Sequence, residues 1–344
     1  FLNIDFRLKE AEPLLTAGQV MAYAQLPVVT KQACSGDCSK MLAQGHGKKK
    51  MKLAAKKNNV VAVTTPNLTF KIDRSTGLIS EYAYNGKSLL GEGGTLKPNF
   101  WRAPTDNDMG AGLQKKFKAW KNPQMNLKNI DVKKDKKANS VTIVTSFDMP
   151  EVQGQMDITY VVFANTGAVK VTEDFKATEG AKVSDMFRFG MLMQMPYTME
   201  KSNYYGRGPI ENYSDRKDCM RIGVYTDDAD NQYFPYIRPQ ESGTKSDIRW
   251  WKQTDATGLG LQVKSCTPFY ASAIHFDTEE LDDGDDKEQR HSFDLKKSKY
   301  TNLFLDAAHM GVGGENSWGA WPLEKYRVHY GNKTFTFTLI PQGK

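Results

Sequence analysis

Two stretches of the sequence gather side chains able to do chemistry. In HMGVGGENSWGAW (309–321) a single indole, Trp318, stands among glycines at 311, 313, 314 and 319, with His309 opening the segment. Tryptophan is ordinarily core material, and packing is the default use. Glycines, however, remove the side chains that would cover the ring, so it can stand at a surface or cleft. There an indole offers an apolar π face to the C–H side of a pyranose, with polar neighbours for the hydroxyls.

In NFWRAPTDNDMGAG (99–112), Arg102, Asp106, Asn107 and Asp108 crowd a non-periodic segment. Such a set can hold a cation or sugar hydroxyls. It can equally form an Asx-rich loop bonding its own backbone. Spacing favours the loop, because Gly110 falls one place too early for a calcium-binding pattern.

Other motifs are less specific. YYGRGPIENYSDR (204–216) superficially resembles a phosphate loop but lacks the Lys-Ser/Thr ending and a following helix. A structured turn held by pairs among Arg207, Glu211, Asp215 and Arg216 fits better. The acidic runs DDADN (227–231) and LDDGDD (281–286) are either calcium loops or solvated turns, and the turn is favoured. The five histidines are dispersed, none at helical zinc spacing, and no nucleophilic serine elbow is present. Cys34 and Cys38, in CSGDC, form one close pair with no second to complete a zinc set, so the redox compartment stays open.

These residues need a scaffold, and its pattern is period two. Leu68, Phe70 and Ile72 alternate with polar neighbours, DRSTG turns the chain, and Asn85-Gly86 marks a type I′ hairpin. Alternation returns at 141–147, 156–162, 187–195 and 335–339, predicting strands with one buried face. Leu113, Phe117 and Trp120 predict one short amphipathic helix ending at Pro123. The class is therefore all-β, in stacked antiparallel sheets.

With 344 residues, 39% hydrophobic, the chain can bury a large core, and no apolar run approaches the roughly 20 residues of a membrane helix. A soluble protein is expected. The formal charge of +7 lies largely in GHGKKKMKLAAKK (45–57) and scattered lysines, which reads as a solvated linker and not as a nucleic-acid stripe. Residues 1–30 read as strands of a preceding sandwich, giving a tail plus linker over 1–57 and a main domain over 58–344. FLNIDFRLKE has neither an initiator Met nor a signal-peptide pattern, so a piece of a longer protein is expected.

Taken in order, NFWRAPTDNDMG, YYGRGPIENYSDR, PYIRPQESG and HMGVGGENSWG resemble the C-terminal domain of family 2 glycoside hydrolases of the large bacterial β-galactosidase type. The resemblance runs from about residue 67 to the end, and FRLKEAEPLLTAGQVMAYAQLPV (6–28) resembles the last strands of the immunoglobulin-like domain before it. It implies a two-sheet antiparallel supersandwich, galactose mutarotase-like, following a catalytic (β/α)8 barrel. Retaining glycosidases need two carboxyl groups about 5 Å apart, and in the family both come from that barrel. No catalytic residue is therefore expected here.

The resemblance carries over Trp318 as an aromatic platform for the sugar, with Arg102, Asp106, Asn107 and His309 as neighbours. Glu315 and Asn316 stand where the best-known member has two aspartates. No cofactor is expected in this chain; Mg or Na ions are an expectation for the parent enzyme, and its compartment, cytoplasmic or periplasmic, stays open. The expected partners are a β-galactoside or related carbohydrate, the parent's barrel and, in the parent, further copies in a homo-oligomer, with neither nucleic acid nor membrane. Two other classes stand beside this one: a free-standing carbohydrate-binding module, and an aldose 1-epimerase, which would need a His acid and a carboxylate base at one pocket.

Overall fold

The computed structural model describes residues 1–28, 49–55, 59–288, 290–314 and 319–343. These fall into two compact units, Phe1–Asp37 and Cys38–Lys344. In the first, Leu2–Arg7 pairs antiparallel with Val20–Leu26 as a hairpin. Cys34, Cys38 and His46, with residues 45–48, 56 and 57 of the lysine-rich run, lie outside the described residues.

The second unit holds a twelve-stranded antiparallel sheet and a five-stranded one. The alternation predicted from sequence is the observed burial. Val141, Ile143 and Phe147 of Ser140–Met149 point inward, as do Met156, Ile158, Tyr160 and Val162 of the neighbouring Gly154–Phe163. The large sheet curls because Gly260–Ile274 serves two ladders: residues 260–264 pair with Lys333–Gln342, and residues 270–274 with Tyr300–His309. A sheet bent this way encloses its own core, which is the expected all-β supersandwich.

The smaller sheet closes over that core. Phe70 meets Tyr160 with ring centroids 5.9 Å apart, and Tyr82 Oη–H donates to the Gly167 carbonyl at 2.8 Å. Its hairpin at Asn85-Gly86 has both residues at positive φ, 50° and 75°, as a type I′ turn requires. One edge departs from the sequence reading. Lys52–Ala54, placed within the lysine-rich linker, is a strand paired with Val60–Thr64; three residues are too few for alternation to register.

Two short helices follow Trp101. Leu113–Lys116 and the 3₁₀ turn Lys118–Trp120 bury Leu113, Phe117 and Trp120, the stripe that the spacing predicts. Asp106–Gly110, expected as an Asx-rich loop, is instead α-helical. Thr105 Oγ1 accepts from the Asp108 amide while the Asp108 carboxylate accepts from the Thr105 amide, a reciprocal cap that satisfies two otherwise orphaned donors. Among the described residues, no helix is long and apolar enough to cross a membrane.

Candidate functional site

Arg102, fully enclosed, holds the site together from below. Its Nε and Nη2 donate to the Asp108 carboxylate at 3.0 and 2.9 Å, while Nη1 and Nη2 donate to the carbonyls of Met310 and Gly311 at 2.7 and 2.9 Å. One planar guanidinium thus fastens the Asp106–Gly110 helix to the start of the glycine-rich loop.

The following peptide groups are gripped as well. Asp215 accepts the Val312 and Gly313 amides at 3.0 and 2.8 Å, and Asn107 Nδ2 donates to the Val312 carbonyl at 3.2 Å. These contacts explain two of the glycines. A Cβ at Gly311 would lie 2.4 Å from Asp215 Oδ2, and one at Gly314, where φ is +81°, would lie 2.4 Å from Asn107 Nδ2. The loop's base is fixed up to Gly314. Trp318, with Glu315, Asn316 and Ser317, lies outside the described residues.

A cavity of about 220 Å³ opens beside this base, lined by Asp106, Asn107, Tyr213, Asp215, Glu241 and Gly313 among others. Asp106 is half-exposed and accepts from Arg238 Nε and Gln240 Nε2, each at 3.1 Å, with Lys287 Nζ at 3.3 Å. Partial burial would raise its carboxyl pKa; Arg238, Gln240 and Lys287 outweigh that and hold it below the usual range. It is an acceptor for hydroxyls and a poor proton donor at neutral pH.

Beneath the cavity lies a buried polar layer. Glu241 accepts from Thr244 Oγ1 at 2.7 Å and lies 3.4 Å from both Tyr213 Oη and Arg188 Nη2. His309 Nε2 stands 3.8 Å from Glu241, but the imidazole is enclosed and bonds the Met310 carbonyl through Nδ1 at 3.0 Å. Burial first, then the charges of Arg188 and Arg102, drive its pKa well below the ordinary value, so it is neutral.

The structure therefore brings Asp106 and Asn107 to a cavity wall and sets Arg102 and His309 under it, where their side chains meet protein only. Arg102 and His309, expected among the substrate-binding neighbours of Trp318, are enclosed by the core, which holds them rigid. Among the described residues, no histidine lines the cavity, so the pairing that an epimerase needs is not formed there. No group of three or more His, Cys, Asp or Glu among the described residues is placed to hold a metal ion.

Asp215, which the sequence places only in a turn, lines the cavity together with Tyr213 and Glu241, which the sequence does not single out. Asp215 and Tyr213 sit in NYSDR, read there only as a turn; Glu241 sits in PQESG. Their presence in the same ordered motifs as Arg102 and His309 was the available signal.

One of the two acidic runs, 281–286, departs from a solvated turn at two positions. Asp282 accepts from Trp101 Nε1 at 2.8 Å and pairs with Lys121 at 2.7 Å, while the enclosed Asp283 pairs with Arg238 and Arg290. The second pair ties the 281–286 segment to Asp106 through Arg238.

Comparison with known proteins gives these motifs a context. The family model described as "Beta galactosidase small chain" matches residues 64–339. The β-galactosidase of Priestia megaterium is 29% identical over 343 residues, covering 99% of this chain and 31% of the relative. That of Lactobacillus delbrueckii subsp. bulgaricus is 34% identical over 222 residues, covering 64% of this chain and 21% of the relative. That of Actinobacillus pleuropneumoniae is 25% identical and covers 98% of this chain and 32% of the relative. The chain thus spans a third or less of the length of the curated relatives it matches.

Proposed function

The chain belongs to the β-galactosidase small-chain family, and from that membership we propose that it is the non-catalytic C-terminal portion of an enzyme hydrolysing terminal β-galactosides. Its task in this reading is to present the loop carrying Trp318, with Asp106 and Asn107, to a pocket whose two catalytic carboxyl groups belong to a barrel in the rest of the enzyme. The observation that carries the reading is the clamped base of the 309–314 loop. Arg102, Asp215 and Asn107 hold consecutive peptide groups from both sides. A loop restrained at its root can project an aromatic ring at low entropic cost.

Arg102 and His309 act as positioning residues. The enclosed His309 supports the Met310 backbone and Arg102 sets the helix against the loop. Mg or Na ions remain an expectation for the parent enzyme.

Mixing the pure chain with a relative's β-galactosidase truncated before its matching C-terminal third tests this. Neither part alone should cleave an aryl β-galactoside; together they should, and Trp318→Ala should reduce the restored turnover. Turnover by the pure chain, lost on mutating a carboxylate within it, would overturn the proposal.

A further inference from the structure

A second cavity, of about 380 Å³, adjoins the first through Arg216 and Tyr236, which line both. Its construction is different. Ile210 and Phe234 stand at its edge, 61% and 54% exposed, and the pair Lys245–Asp227 lies at its inner end. Lys245 is almost wholly enclosed, and its Nζ lies 3.1 Å from Asp227 Oδ2.

Stability does not account for a lysine there, since an apolar residue of similar volume would serve a core at least as well. Burial depresses the Lys245 pKa and Asp227 opposes the fall. Among the described residues, the ammonium makes one hydrogen bond, to Asp227. An ammonium has three donors, so two are available to a guest in the cavity it lines.

The charges at the cavity cancel in pairs, Lys245 with Asp227 and Arg216 with Glu211. A charged guest would upset one of them. Neutral hydroxyls do not, because each can accept from Lys245 and donate to a carboxylate. Phe234, whose ring meets that of Tyr236 at 4.6 Å between centroids, keeps about half its surface exposed and offers an apolar face to a guest. A guest with hydroxyls around its edge and C–H bonds on one face is a pyranose, and the volume falls in the range of small-molecule sites.

We propose that this cavity, between Phe234 and Lys245, is a binding site for a neutral hexopyranose, separate from the loop that carries Trp318. The site is weak by design, with one aromatic face and one buried donor group.

Calorimetric titration of the 344-residue chain with galactose, with glucose and with the open-chain polyol mannitol tests it. Saturable millimolar binding of a hexose is expected, at least tenfold weaker in Phe234→Ala and retained within twofold in Trp318→Ala. Lys245→Met should lose binding too; should it fail to fold, Ile210→Ala, at an exposed position, is read beside Phe234→Ala. No saturable binding of either hexose, binding lost only in Trp318→Ala, or equal binding of mannitol would each overturn the proposal. Complementation of a truncated relative reads the other cavity, so failure here leaves that result distinguishable.

Discussion

Asp215 stands so close to Gly311 that a side-chain carbon at 311 would fall 2.4 Å from its Oδ2, while the same carboxylate accepts the amides of Val312 and Gly313. The glycine and the aspartate are one device. The missing Cβ admits the carboxylate, and the carboxylate fixes the two peptides that lead towards Trp318.

Gly311→Ala should therefore destabilise the chain by about 1–3 kcal/mol through overpacking. The cost should shrink in an Asp215→Ala background, where the obstructing carboxylate is gone. A double-mutant cycle by urea unfolding reads this coupling directly. Strict additivity would show that Gly311 and Asp215 do not act together.

Arg102→Lys should cost about 3–5 kcal/mol although it preserves the charge. Lysine cannot reproduce the fork that bonds Asp108 twice and two loop carbonyls at once. In the complemented enzyme the same variant should lower turnover, since it frees the loop's root. Unfolding midpoints and aryl-galactoside rates measure the two effects separately.

Most of the scaffold was legible in the residues. Val141-Ile143-Phe147 and Phe335-Phe337-Leu339 alternate because one face of each strand meets the core, and alternation survives in one dimension. The Asp106–Gly110 helix was missed because its cap, Thr105 with Asp108, is indistinguishable in sequence from a loop rich in turn formers. Asp283 was read as solvated because its neutralising partner Arg238 lies 45 residues away and only folding brings it close. Arg102 and His309 stand in the motifs that carry the resemblance, but their burial is a property of the fold that those motifs do not spell out.

Asp283→Asn should weaken the chain most at neutral pH. Burial would raise this carboxyl, but Arg290 and Arg238 outweigh it and hold its pKa below the ordinary value. A depressed folded pKa contributes stability above the unfolded pKa, which is lost as pH falls through the folded one. The gap between variant and parent should therefore close on acidification below about pH 4. Chemical unfolding at several pH values checks it.

Asp306→Asn should show the opposite sign. Asp306 is enclosed, and burial, only partly offset by Arg188, raises its carboxyl from the ordinary 3.8 to about 7. Below about pH 4 both folded and unfolded chains carry it protonated, so it imposes no ionisation cost. As pH rises towards 7 the unfolded chain ionises while the folded chain must keep its proton, and stability falls. Above 7 both ionise and the cost levels off at roughly 4 kcal/mol. Asparagine has no such proton to hold, so the stability of the variant relative to the parent should climb between about pH 4 and 7 and then stay flat. A relative stability that stays flat over that interval, changing only below about pH 4, would mean that Asp306 is ionised throughout and tightly paired with Arg188.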